Sequence, residues 1–344
     1  MTSLEDEKGA MRPGVFLTFD VECSMGGAWN DVSLKPIPPR LGMMGEYGNR
    51  VLGIPLICDV LERHGLRATF FVEPFNDELG YPGETEPVCR YLIERGQDVQ
   101  LHVHPNHWHY GLKQQGRAFP FTDQMADLSP EEQAFLVQEG ADRIEQWTGK
   151  RPIAFRAGNM GASEETLRIL PQAGIWMDSS YTFPYVGGQC RLPEREAYNG
   201  AKWYGNTLEV SLSGFRQAKL PGLPGSQPLD LMGASFGECR DAVRMICGAG
   251  ADAVAILHSF SLFKVRDVQY RGGRLNRVVV RRFERFCEWL GAHRRSYPTR
   301  TFAELGERVR KGYQPKAVQP CRMQNPLRAA LRKFIQGLNR LYWF

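Results

Sequence analysis

Gly96-Gln-Asp-Val-Gln-Leu-His-Val-His-Pro-Asn-His-Trp-His-Tyr110 holds four of the seven histidines in the chain. From Asp98 to His104 polar and apolar residues alternate. Successive side chains of a strand point to opposite faces, so this reading puts His102 and His104 on one face. Pro105 and Asn106 are expected to end the strand and leave His107 in the turn that follows. Two imidazoles on one strand face, with a third close by, supply the nitrogen donors of a metal site of the zinc type.

Six further segments read as short strands: Val15–Asp20, Arg67–Glu73, Ile153–Ala157, Ile175–Asp178, Leu208–Leu212 and Ala251–His258. Helices are expected at 51–64, 87–95, 129–147, 163–174 and 278–291, with a short final one after Ala303 and Ser129-Pro-Glu-Glu132 forming a capping box. Strands alternating with helices imply a parallel sheet covered by helices. Several strands end in a polar residue: Asp20, Glu73, His104, Arg156, Asp178 and His258. A barrel displays its chemistry at the carboxyl ends of its strands. An open doubly wound sheet would do so too, but it usually has a glycine-rich phosphate turn after the first strand. Asp20-Val-Glu-Cys-Ser24 lacks one, so the fold expected is α/β, a distorted (β/α)7 barrel.

Totals exclude other classes. No apolar tract is long enough to span a bilayer, and the acidic, polar Met1–Gly14 does not read as a secretion signal. Eight scattered cysteines without a Cys-x-x-Cys pair suit reduced thiols, and together these features lead to an expected cytoplasmic location. The net charge of +5 is uneven: from Lys311 to Phe344 there are seven Lys and Arg and no acid, leaving 36 basic against 38 acidic residues before it. That balance argues against nucleic acid as a partner. The chain therefore divides into an expected barrel domain, 14–310, and a basic tail, 311–344.

Asp20 and Glu22, two apart at the end of the first strand, add carboxylates that would face the same way, and His258 closes the last strand. Carboxylates and imidazoles together are the inventory of metal-assisted hydrolysis.

These segments resemble the polysaccharide deacetylases, the family 4 carbohydrate esterases. Phe16-Leu-Thr-Phe-Asp20 is similar to the first motif of that family, Ala68-Thr-Phe-Phe71 to its second strand and Gly96–His104 to its histidine motif. Phe155-Arg-Ala157, Asp178-Ser-Ser180 and Ile256-Leu-His258 resemble its arginine, aspartate and final motifs, all in the family's order. The sequence departs from the pattern twice. Val21 stands where a metal-binding Asp is usual, and Asn106 where the second histidine is expected.

The resemblance implies a metal-dependent hydrolase that removes N-acetyl groups from a polysaccharide, an oligosaccharide or a lipid-linked glycan intermediate. Asp20 would be the base and Glu22 a metal ligand, or the reverse. His102 would be a second ligand, joined by His104 or His107, with zinc as the expected ion. Arg156 would hold the basic carboxylate, His258 would protonate the leaving amine, and Asp178 would orient His258. The altered ligands also leave room for an amidohydrolase of small cyclic amides or a non-catalytic glycan-binding relic. Trp108 is the aromatic expected near the metal. In the tail, Leu327, Leu331, Phe334, Ile335, Leu338 and Leu341 fall on one helical face flanked by cations, with Tyr342-Trp-Phe344 at the end. This composition suits peripheral contact with the inner face of a membrane, or a helix packed on the body.

Overall fold

The computed structural model describes residues 12–192, 194, 196–218, 224–323 and 325–341. The readings of Met1–Met11 and Tyr342-Trp-Phe344 lie outside them. A nine-stranded sheet forms the core. Its strands are β1 (Val15–Val21), β2 (Thr69–Val72), β3 (Asp98–Val103), β4 (Ala154–Ala157), β5 (Met177–Asp178), β6 (Asn199–Tyr204), β7 (Thr207–Val210), β10 (Ala253–His258) and β11 (Ala317–Val318). Among the short strands outside it are β8 (Gly214–Arg216) and β9 (Ser226–Pro228). The order is β10-β1-β2-β3-β4-β5-β7-β6-β11. From β10 to β7 every pairing is parallel, and β6 and β11 then run antiparallel to their neighbours.

The seven parallel strands are the seven read from the sequence. Their residues are buried on both faces, which is why they appear as short apolar runs. The sheet curls without closing by a regular ladder. Irregular segments bridge the remaining side: Ser213 N donates to Val254 O (3.1 Å) and Ile256 N to Leu229 O (3.0 Å). The result is the distorted barrel.

Helices cover the outside: α1 (Ile54–Arg63), α2 (Thr85–Glu94), α3 (Pro105–Gln114), α4 (Pro130–Thr148), α5 (Glu164–Ile169), α6 (Phe236–Gly248), α7 (Arg277–Ala292) and α8 (Phe302–Arg310). Both halves of the Ser129/Glu132 capping box form at the start of α4. Two helices were not foreseen. Helix α3 takes the place of the expected turn after the histidine strand, because Pro105 at its first position starts a helix well. Helix α6 is capped by Ser235 and Glu238, a reciprocal pair of the same kind as in α4.

The division at 310 does not hold as a separation. Strand β11 joins the main sheet against β6, and β12 (Cys321–Arg322) pairs with β8. Helix α9 (Pro326–Leu341) follows and docks on α6. Its Arg332 is buried, with Nη1 3.0 Å from Glu238 Oε1 and Nη2 2.9 Å from Gln217 Oε1. All eight cysteines are free thiols.

Candidate active site

Five parallel strand ends build the site. Register sets Asp20 of β1 beside His258 of β10 on one side and Phe71 of β2 on the other. His102 of β3 lies beside Arg156 of β4. The Arg156 guanidinium crosses above the Phe71 ring, 4.1 Å from its centroid, and donates through Nη1 to Asp20 Oδ1 at 2.5 Å. Its other nitrogens donate to Ser179 O (3.1 Å) and Ser179 Oγ (3.0 Å). Both partners of this ion pair are buried, so one orientation of the Asp20 carboxylate is fixed.

Glu22, one residue past β1, meets two imidazoles. Its Oε2 is 3.1 Å from His102 Nε2 and 2.6 Å from His104 Nε2. The other nitrogen of each ring is tied down from behind. His102 Nδ1 donates to Arg156 O (2.8 Å), and His104 Nδ1 faces Asp123 Oδ2 (2.9 Å). Such second partners fix the tautomer and aim Nε2 at a metal. Gly158 makes room for this, since a Cβ there would fall 2.5 Å from His104 Nδ1. One donor atom each from Glu22, His102 and His104 lie within 4.8 Å of one another. A carboxylate oxygen and two imidazole nitrogens match a zinc-type donor set with positions left open.

The electrostatics agree with that fit. Burial opposes charge on Glu22, yet the His104 charge and the two imidazole hydrogen bonds hold its carboxyl well below the usual range. Burial likewise opposes a charged His104, but Glu22 and Asp123 outweigh it and raise the imidazole well above its ordinary value. Positive charge is favoured at this point.

His107 does not join the group. It sits on α3, with Nε2 3.0 Å from Cys23 O and Nδ1 3.6 Å from Glu73 Oε2. Of the two ways to complete the pair with His102, the geometry provides His104. Trp108 also points elsewhere, packing on Phe75 (5.4 Å between centroids) and Phe135 (5.1 Å) because the turn expected there is a helix. Asp178, expected to orient His258, is engaged below the site. Its oxygens accept from Ser180 Oγ (2.7 Å) and Ser180 N (3.0 Å), and Glu209 is its cross-strand neighbour. Burial, then the Asp178 charge, raise Glu209 well above the carboxylate range.

The acid beside His258 is instead Asp230. Both line a cavity of about 190 Å³ together with Asp20, Glu22, His102 and His104. Asp230 Oδ1 accepts from Met232 N (2.8 Å); burial raises its carboxyl, while the backbone and the His258 charge oppose the rise. Asp123, Asp230 and Glu209 were not recognised from the sequence. The first two lie in loops with no periodic pattern, 19 and 28 residues from the histidines they face. Glu209 alone gave a signal, an acid inside an otherwise apolar strand.

Residues 49–177 match the polysaccharide deacetylase family model. This span contains both histidines and Arg156, while Asp20, Glu22 and His258 lie outside it. A peptidoglycan deacetylase-like protein of Gibberella zeae, FGM2, is 24% identical over 139 residues, which cover 40% of this chain and 34% of that protein. The chain thus matches only about a third of the length of that relative. A crystal structure from Mycobacterium smegmatis, described as a candidate polysaccharide deacetylase, superposes with a TM-score of 0.51. That comparison covers 91% of this chain and 96% of the other at 14% identity, and it is a likeness of fold.

Proposed function

We propose that this chain is a metal-dependent carbohydrate N-deacetylase, acting on a polysaccharide, an oligosaccharide or a lipid-linked glycan. The observation that carries this reading is the pairing of two arrangements across one small cavity. Glu22, His102 and His104 present converging donors, and the Arg156-locked Asp20 and His258 stand beside them.

Glu22, His102 and His104 would hold the ion, most simply zinc, which supplies Lewis-acid polarisation of an amide carbonyl and makes water a better nucleophile. The Asp20 carboxylate accepts the proton of the attacking water. Arg156 keeps that carboxylate turned toward the cavity through a bond it cannot exchange with solvent. His258 delivers a proton to the departing amine, a poor leaving group without it. Asp230 is placed to position His258. At about 190 Å³ the cavity is smaller than the roughly 300–1,000 Å³ that enclose a drug-sized ligand. It suits an acetamido end, with the rest of the glycan outside.

The test is acetate release from a panel of N-acetylated oligosaccharides, with small cyclic amides alongside. Acetate is expected from a sugar, lost with a chelator and restored by a divalent ion. Release of product from cyclic amides alone, or no hydrolysis of any sugar after metal is restored, contradicts the proposal.

A further inference from the structure

Helix α9 is seated on the body by its polar side, not its apolar one. Its polar side faces the body: Arg328 pairs with Asp241, Arg332 with Glu238, Gln336 Nε2 donates to Gly233 O (2.6 Å), and Asn339 Nδ2 to Asn276 Oδ1 (3.2 Å). The apolar side is left outside. Leu327 is 76% exposed, Leu331 58%, Phe334 64%, Leu338 50% and Leu341 85%. Their spacing of four and three residues puts all five in one stripe along the helix. Five large apolar residues in a row on a surface are uncommon and mark a docking face.

What surrounds the stripe says what it meets. Helix α7 runs beside α9 and presents the exposed Arg277, Arg281 and Arg285, one turn apart. Between the helices a trough of about 590 Å³ has Phe236, Val278, Leu331 and Ile335 as its apolar lining. Arg240, Arg281, Arg285 and Arg328 also line it. It continues into a hollow of about 600 Å³ lined by Arg277, Val278, Arg281, Ile335, Leu338 and Leu341. Lys333 and Arg340 are exposed on α9 itself, and no acid occurs from Lys311 onward. Of the two acids of α7, Glu284 reaches Arg63 of α1 at 3.6 Å, and the exposed Glu288 follows Arg285 by one turn, so the arginines are in excess on this surface. A second copy seated on the stripe would bring cation against cation. No described helix is long and apolar enough to cross a bilayer.

We infer that α9 and the arginine row of α7 form a docking surface for an anionic lipid bilayer, with the Leu/Phe stripe entering the interface and the cations meeting headgroup phosphates. Apolar burial and charge attraction add in such a surface, and only the second is screened by salt. Prior anchoring of α9 through Arg332 holds the stripe in its exposed orientation before any lipid is met. The inference does not depend on the reaction catalysed.

The experiment is flotation of the full chain with vesicles of equal parts phosphatidylglycerol and phosphatidylcholine, against phosphatidylcholine alone. Two variants accompany it, Leu331→Glu with Phe334→Glu, and Arg281→Glu with Arg285→Glu. All four positions are exposed, and circular dichroism melts check that each variant folds as the parent does. Binding to the anionic vesicles is expected, weaker by about tenfold or more on neutral vesicles, in either variant and at high salt. Absence of binding, equal binding to both vesicles, or a parent dimer that the Leu331/Phe334 variant splits in sedimentation overturns the inference.

Discussion

Asp20→Asn is expected to lower the turnover of an N-acetylated sugar by roughly a hundred- to ten-thousandfold, the range for losing a positioned general base. Metal content should not change. The asparagine oxygen can still accept from Arg156 Nη1, so the buried guanidinium keeps a partner and the strand ends stay in place. What is lost is a group able to take a proton. Glu22→Gln should do the opposite, weakening metal affinity first, because Glu22 Oε2 is the atom that faces both imidazoles. The check is acetate release at saturating metal together with metal titration of both variants. If Asp20→Asn loses the metal and Glu22→Gln keeps it, the two roles are exchanged.

Arg332→Met is expected to cost about 3–5 kcal/mol of stability, the range for removing one partner of a buried ion pair. Arg332 and Glu238 are both about 2% exposed, and nothing in solvent can replace the guanidinium at Glu238 Oε1. Oε2 keeps its bonds from Ser235 N (2.9 Å) and Ser235 Oγ (2.6 Å), which cap α6 but do not neutralise the charge. Adding Glu238→Gln should recover most of the loss, because the penalty is the stranded carboxylate and not the missing contact. Urea unfolding of the single and double variants measures this. A tail that merely accompanies the barrel would leave the midpoint of Arg332→Met within experimental scatter of the parent.

The parallel strands could be read because burial on both faces writes each of them as an unbroken apolar run, such as Ala253-Val-Ala-Ile-Leu257. Asn199–Tyr204 escaped notice because it lies toward the sheet edge, with Trp203 half exposed, and so mixes polar and aromatic residues. Asp20, Glu22, His102 and Arg156 could be placed near one another because strand order and a shared carboxyl end suffice for that. The choice between His104 and His107 could not be made, since it depends on whether Pro105 starts a helix or a turn. Asp123 and Asp230 reach the site through loop paths that no spacing encodes. The tail shows the same limit: its composition gave an amphipathic helix, and only the buried Glu238 decided which face would turn inward.

The most direct measurement is the metal content of the purified chain beside His104→Ala and His107→Ala. About one divalent ion per chain is expected in the parent and in His107→Ala, and none retained in His104→Ala, since His107 Nε2 is held by Cys23 O and lies outside the donor group. Metal kept by His104→Ala, or a parent chain that binds none, would contradict the site on which the proposed hydrolysis rests.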